Sequence, residues 1–327
     1  KRQAGYSLMR FTFIGAGGIG CYYAARLIKA GHEVVLTARG EHLQVMRDKG
    51  LTVTHPELTF NQPVVACATD EWLAQYQPSQ VDVIVVCLKG MHTELFAEQL
   101  REWCRQYEGQ NLPLVLSLQN GVENEQYLNA AVPEGLVLGG IARRIGANII
   151  KPGVVEAVGP AQVIFGLWPN HQNIKADRLS QLTSLVESFN QALIPTQLSG
   201  DINKELWRKL MINNGFNPIC TLLQIETGET ALFPALTPLI KGAMQEAALA
   251  AKANGVEFTK ADVDEMFELI STFDSIKPSM LIDREKGRPL EIEEICGVVI
   301  RGCEALGKDA PYNRCIATLL DVTLAKK

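Results

Sequence analysis

The stretch Arg10-Phe11-Thr12-Phe13-Ile14-Gly15-Ala16-Gly17-Gly18-Ile19-Gly20-Cys21-Tyr22-Tyr23-Ala24-Ala25-Arg26-Leu27 decides how the first half of the chain folds. Residues 10–14 are an apolar-rich run suited to a buried strand. The glycine segment follows at once, helix-forming residues run over 21–30, and Gly31 is a natural helix stop. Residues 32–38, centred on Val34, Val35 and Leu36, form the next expected strand. Strand, G-x-G-x-x-G turn, helix and strand in this order point to a dinucleotide-binding unit, with the loop Gly15, Ala16, Gly17, Gly18, Ile19 and Gly20 as its cofactor contact. Gly15 permits the tight turn, Gly17 lets the backbone approach a pyrophosphate, and Gly20 lets the helix pack close to the sheet. The helix N-terminal amides would face the phosphates. An NAD site usually has an acidic residue at the end of the second strand. Here Thr37-Ala38-Arg39-Gly40 stands there instead. Arg39 suits a 2′-phosphate, which favours NADPH over NADH; the plain alternative is a surface arginine, with Glu41 close by.

Outward from this motif, strands are expected at 64–66, 81–87, 114–118 and 136–139, with helices near 71–76, 92–107 and 124–128. Such alternation argues for a mainly parallel sheet covered by helices on both faces, which binds ligands beyond the carboxyl ends of its strands. Two strand ends carry polar residues there, Lys89 after 85–88 and Asn120-Gly121 after 116–119. Lys89 and Asn120 would point into the cofactor crevice; alternatively they are a solvated lysine and a turn-forming Asn-Gly. Residues 141–166 read as antiparallel strands extending the sheet, with Arg143 and Arg144 as surface charges, and 175–190 as a helix.

Beyond Ser199-Gly200 the periodicity is helical, near 201–217, 231–254, 259–275, 291–306 and 312–325. The fold class expected is therefore α/β: a Rossmann-type, doubly wound N-terminal domain over 9–199 and an all-helical C-terminal domain over 200–327. Within the first helix Lys209, Asn213 and Asn217 are spaced i, i+4, i+8 and share one face, while Leu206, Trp207, Leu210, Met211, Ile212 and Phe216 surround them. Asparagine is a poor residue inside a helix because it competes for the backbone. The stripe lines either a cleft or the solvated side of an amphipathic helix. Ser279 after Pro278 has a plain role as a helix or turn cap, and Glu291 before an apolar run as a helix cap.

Composition narrows the class of protein. The chain has 327 residues, 47% hydrophobic and 20% charged, with a formal net charge of -5, so it can bury a large core and lacks the basic footprint of a nucleic-acid binder. Its eight cysteines form no C-x-x-C pair and read as buried free thiols of a reducing compartment. The five histidines have no ligand spacing, so no metal is expected. No apolar run is long enough to span a bilayer, and residues 1–9 lack the apolar core of a signal peptide. A cytoplasmic location is expected, with no membrane partner and a homodimer left open; residues 1–8 are set aside from the fold reading.

Taken together, these residues resemble the ketopantoate reductase (2-dehydropantoate 2-reductase) family over roughly 9–324. The resemblance rests on Gly15, Gly17 and Gly20, on Lys89, on Asn120-Gly121, and above all on W-x-K-x-x-x-N-x-x-x-N-P at Trp207, Lys209, Asn213, Asn217 and Pro218. A Ser-Met-Leu-x-Asp segment starts at Ser279, and Glu291-Ile292 follows at the family's spacing. The resemblance implies hydride transfer from NADPH to the C2 carbonyl of a 2-keto acid. It makes Lys209 the general acid and Glu291 the residue that orients the substrate hydroxyl or Lys209. Asn213, Asn217, Ser279 and Asn120 would bind substrate, while Lys89 and Asn120 position nicotinamide and substrate. Leu290, Glu293 and Cys296 stand where the family usually has threonine, aspartate and asparagine. These departures are expected beside the substrate and keep open an enzyme of the same build that reduces another 2-keto acid or runs as a hydroxyacid dehydrogenase. A sensor that binds NADP(H) without turnover is the second alternative, against which the intact set of Lys209, Asn213, Asn217 and Glu291 argues.

Overall fold

The computed structural model describes residues 8–133, 135–170, 176–272 and 275–325, and the chain divides into two compact units. The first comprises the sequence up to Gln119 and Asn124–Ile202; the second comprises Asn120–Glu123 and Asn203–Lys327.

The first unit runs β1 (Arg10–Ile14), α1 (Gly18–Lys29), β2 (Glu33–Thr37), α2 (Gly40–Lys49), β3 (Leu51–His55), β4 (Leu58–Gln62), β5 (Val65–Cys67), α3 (Thr69–Gln75), β6 (Val83–Val86) and α4 (Thr93–Gln106). It continues through β7 (Leu114–Ser117), α5 (Asn124–Ala131), β8 (Val137–Arg143), β9 (Gly146–Lys151), β10 (Val154–Val158), β11 (Gln162–Leu167), α6 (Ala176–Gln191) and β12 (Thr196–Leu198). Eight strands form one sheet in the order β12-β11-β8-β7-β6-β1-β2-β5. All neighbours in it are parallel except β8 and β11. Its central strands β6 (Val-Ile-Val-Val) and β7 (Leu-Val-Leu-Ser) are buried at every position. That uniform burial is why they read as unbroken apolar runs rather than as alternation. The strand order reverses between β6 and β2, on either side of β1, so the switch point of the sheet lies at the glycine loop.

The expectation for 141–166 needs correction. Only β8 and β11 lie in the main sheet; β9 and β10 join the β3–β4 hairpin in a second sheet of order β4-β3-β10-β9. The hairpin over 51–62 had no counterpart in the sequence reading. The physical reason is visible in α1, whose residues Gly20–Leu27 are all buried. This helix packs on β1 and β2 with one side and on β3, β9 and β10 with the other. A helix apolar on all sides needs a second cover. The small sheet supplies it, with Val53 and Val155 fully buried. A fully buried leucine such as Leu27 contributes about 1.5–3 kcal/mol. Its one buried charge, Arg26, donates from Nε to the Tyr22 hydroxyl (3.0 Å) and from Nη1 to the Glu57 carbonyl (3.3 Å). Arg143 and Arg144 are exposed.

The second unit contains α7 (Ile202–Leu223), α8 (Thr237–Ala251), α9 (Lys260–Ser271), α10 (Ser279–Glu285), α11 (Val298–Ala305) and α12 (Pro311–Ala325). Helix α7 runs past Pro218, where the sequence reading ended it. Ile219, Cys220 and Thr221 are buried, and the Arg284 guanidinium donates to the carbonyls of Thr221 and Leu222, capping the helix end. The helix expected from 231 starts at Thr237, after short 3-10 turns at Gly228–Leu232 and Pro234–Leu236. The α10 helix begins at Ser279, where the sequence left a helix or a turn open, and Glu293–Gly297 form a π-helical turn ahead of α11. Lys175, the expected start of α6, and residues 273–274 lie outside the described residues.

A buried polar cluster joins four elements of this unit. The Glu246 carboxylate accepts from the Tyr312 and Asn313 amides (2.9 Å each) and from Asn313 Nδ2 (2.8 Å), serving the N-terminus of α12. Asn214 Nδ2 donates to Asn313 Oδ1 and to the Ile295 carbonyl in the π turn (2.9 Å for the latter). No described helix is long and apolar enough to cross a membrane. All eight cysteines are free; Cys87 is half-buried, Cys315 is exposed, and the other six are buried.

Candidate active site

The glycine loop sits at the carboxyl end of β1. Gly15 has φ +97°, and a Cβ there would press on the backbone of Cys87 and Leu88 at 3.0 Å. Only glycine adopts this conformation without strain. The loop is held by Thr37 at the end of β2: the Gly15 amide donates to Thr37 Oγ1 (3.1 Å) and the Ala16 amide to the Thr37 carbonyl (2.7 Å). At Gly20 an added Cβ would meet the Gly15 carbonyl at 2.6 Å, so the first turn of α1 packs directly on the loop. Gly17 differs, since an added Cβ would find nothing within 4 Å. Gly17 is the N-cap of α1, so the chain offers an uncovered helix N-terminus there, with Gly18 and Ile19 in its first turn. Gly18 has a constraint the sequence did not reveal: a Cβ would overlap the Ala147 carbonyl of β9.

Arg39 is exposed and is the N-cap residue of α2. Lys89 is half-buried and is the N-cap of a 3-10 turn, Gly90–His92, that leads into α4. Below it runs a chain of buried polar groups that sequence reasoning missed. Gln119 Nε2 donates to the Leu88 carbonyl (3.0 Å) and to Thr93 Oγ1 (2.7 Å), and Thr93 Oγ1 donates to Asn124 Oδ1 (2.7 Å). Thr93 and Asn124 are buried at the first turns of α4 and α5. The chain fastens the segment before Lys89 to the end of the β7 segment. The available signal was Gln119 itself, a polar residue closing a run of apolar ones.

Next to this chain lies Glu125, fully buried, whose two carboxyl oxygens make no hydrogen bond. Burial pushes its carboxyl up to about 7. The cause is loss of hydration, which penalises the charged form.

In the helical unit, Lys209, Asn213 and Asn217 lie on one unbroken helix, α7. Lys209 and Asn213 are half-buried and Asn217 is only 8% exposed, flanked by buried Leu206, Trp207, Leu210, Met211 and Phe216. The stripe is thus not the solvated side of an amphipathic helix. Glu291 is buried, one residue before the helical turn that enters the π segment. Ser279 is exposed and is the first residue of α10, whose N-cap position is taken by Pro278. Asn120 is half-buried and belongs to this unit. The neighbouring Glu123 is held by Arg301 (2.8 Å), which also pairs with Glu293 (2.9 Å).

Of the departures near Glu291, Leu290 is half-buried. Glu293 is exposed and paired with Arg301, and Cys296 is fully buried in the helical core. Packing and a surface ion pair account for both. Among the described residues no group of three or more His, Cys, Asp or Glu is arranged to hold a metal ion.

Comparison with known proteins covers both units. Residues 11–170 match the family described as ketopantoate reductase PanE/ApbA, and residues 201–323 match its C-terminal counterpart. The 2-dehydropantoate 2-reductase of Pyrococcus abyssi is 28% identical over 305 residues, covering 93% of this chain and 94% of that protein. The crystal structure of 2-dehydropantoate 2-reductase from Geobacter metallireducens superposes with a TM-score of 0.82 at 29% identity, covering 96% of this chain and all of that one (100%). A ternary structure of D-mandelate dehydrogenase with NADH and anilino(oxo)acetate shares the fold, at a TM-score of 0.84 and 22% identity over 97% of this chain and 99% of that one.

Proposed function

The chain belongs to the ketopantoate reductase family, and from that premise we propose that this oxidoreductase reduces 2-dehydropantoate to pantoate with NADPH, using Lys209 as its general acid. The observation that carries the proposal is the α7 stripe: a lysine and two asparagines at one-turn spacing, half-buried at Lys209 and Asn213 and buried at Asn217, flanked by the buried apolar side chains of Leu206, Trp207, Leu210, Met211 and Phe216.

The loop residues fit the cofactor. Gly17 leaves open the space a Cβ would fill, beside the N-terminus of α1, which suits a pyrophosphate. Gly15, Ala16, Gly18, Ile19 and Gly20 shape that cradle. Arg39 would pair with the 2′-phosphate, for which a guanidinium is the better geometric match. NADPH, when bound, supplies the hydride for the C2 carbonyl.

The remaining chemistry belongs to the protein. Negative charge grows on the carbonyl oxygen as the carbon is reduced and must be stabilised where it develops. Lys209 Nζ donates a hydrogen bond to that oxygen and then its proton. Glu291 hydrogen-bonds the substrate hydroxyl or the Lys209 ammonium and holds it in line. Asn213 and Asn217, with amide groups that both donate and accept, bind the hydroxyl and carboxylate of the acid, together with Ser279 and Asn120. Lys89, set by the Gln119–Thr93–Asn124 chain beneath it, positions the nicotinamide side.

The test is NADPH oxidation with 2-dehydropantoate and a panel of other 2-keto acids. Turnover highest with 2-dehydropantoate supports the assignment. Turnover confined to another 2-keto acid would retain the reaction and replace the substrate. NADPH binding without turnover on any acid would make the chain a sensor.

A further inference from the structure

His42, the third residue of α2, stands among groups that dictate its chemical state. One ring nitrogen, Nε2, lies 3.0 Å from the Ala16 carbonyl of the glycine loop. The other, Nδ1, lies 3.0 Å from the backbone amide of Gly153, in the turn between β9 and β10. A carbonyl only accepts and an amide N–H only donates, so Nε2 must carry the proton and Nδ1 must be bare. The imidazole is therefore neutral and in a single tautomer. Cys21 in α1 adds a second donor, its Sγ reaching the same Ala16 carbonyl at 3.4 Å.

Two donors pin that carbonyl toward the protein. The Ala16 carbonyl shares a peptide plane with the Gly17 amide, and in a trans peptide the two point in opposite directions. Pinning the oxygen inward turns the Gly17 N–H outward, at the one loop glycine whose surroundings are open. The turn on the far side is equally constrained. Gly153 has φ +73°, and a Cβ there would strike Val45 of α2 at 2.5 Å, while Ala147 of the same hairpin closes over Gly18. His42 thus ties together the loop, α2 and the β9–β10 hairpin.

We propose that His42 is a positioning residue of the dinucleotide site: its neutral ring holds the Ala16–Gly17 peptide so that the Gly17 amide faces an anionic phosphate. The role rests on the cofactor reading given above, and it carries a pH signature. Protonated His42 would turn a second N–H onto the Gly153 amide and break that bond. Burial lowers its proton affinity below the usual histidine range. From α1 it faces the Cys21 thiol, which burial keeps neutral; from the hairpin it faces the Gly153 backbone; the charged residues flanking it at the start of its own helix are the exposed N-cap Arg39 and Glu41. Cofactor affinity should therefore weaken as pH falls below the ordinary histidine range.

The experiment uses the full chain, with NADP⁺ as the probe, and compares wild type, His42→Leu and His42→Gln. Glutamine can return an N–H to the Ala16 carbonyl; leucine cannot. Nitrogen NMR of the ring should show the Nε2–H tautomer, and the Gly17 amide resonance should shift in His42→Leu and return toward wild type in His42→Gln. At pH 8 the Kd for NADP⁺ should rise about tenfold in His42→Leu and less in His42→Gln, and KM for NADPH should change more than kcat. Wild type should lose affinity more steeply in acid than His42→Gln, since any loss common to both belongs to the ligand phosphate. An Nδ1–H tautomer, an undisturbed Gly17 amide in His42→Leu, or equal Kd values at pH 8 would each overturn the proposal. Failure of the wild type to bind NADP⁺ overturns the cofactor reading instead, and with it the phosphate-facing role of the pinned peptide; the NMR readouts, taken without cofactor, show which of the two has failed.

Discussion

Replacing Glu125 by glutamine should remove most of a pH dependence of stability that the wild type carries. The carboxyl is fully buried, makes no hydrogen bond and is pushed up to about 7 from an ordinary 4.5. The folded value lies above the unfolded one, so the folded protein holds the proton more tightly. Its relative stability is therefore greatest below the unfolded value, falls as pH rises from about 4.5, and levels off above about 7. The difference of about 2.5 units corresponds to roughly 3 kcal/mol in total, of which about 2.5 kcal/mol falls between pH 5 and pH 8. Urea unfolding of both proteins at those two pH values measures it, together with exchange protection of the β7 amides in the same unit. Wild type should lose about 2.5 kcal/mol more than Glu125→Gln across that interval. Parallel stability curves for the two proteins would refute the reasoning, because they would mean that Glu125 is ionised and solvated in the folded state.

Lys209→Ala should lower kcat about 100-fold or more, the scale for removing a general acid; near-normal turnover in a steady-state assay would remove Lys209 from that role. Arg39→Asp should shift the kcat/KM ratio from NADPH toward NADH, and an unchanged ratio would show that the exposed arginine does not read the 2′-phosphate. Gly17→Ala and Gly18→Ala separate ligand space from packing. The first should leave the urea midpoint almost unchanged and raise KM for NADPH, since only a ligand would meet its methyl group. The second should cost about 1–3 kcal/mol of stability because the Ala147 carbonyl must move. Equal stability losses in the two variants would contradict that division.

Some of this molecule could be read along the chain because the signal is local. The strand, glycine turn and helix over 10–29 are set by a short apolar run, by a positive φ that Gly15 tolerates, and by helix formers up to a glycine stop. The α7 stripe follows from the 3.6-residue period alone, but its partial burial was one of two alternatives that the sequence left open. The end of α7 was not readable in the same way. Pro218 predicts a stop, but burial of Ile219 and Cys220 and the Arg284 cap carry the helix onward, and those partners come from elsewhere in the sequence.

What the sequence by itself determined is thus the parallel α/β unit, the glycine loop, the helical half and the identity of the lysine and asparagines on one face, since each depends on residues within a few turns of one another. Only the tertiary structure decided that β9 and β10 leave the main sheet to cover α1, that Gly18 lies beneath Ala147, that His42 bridges Ala16 and Gly153, and that Glu125 is sealed from water. Those outcomes depend on which distant segments close over a residue. Desolvation and hydrogen-bond geometry are properties of that closed environment, and no residue's type or spacing contains them.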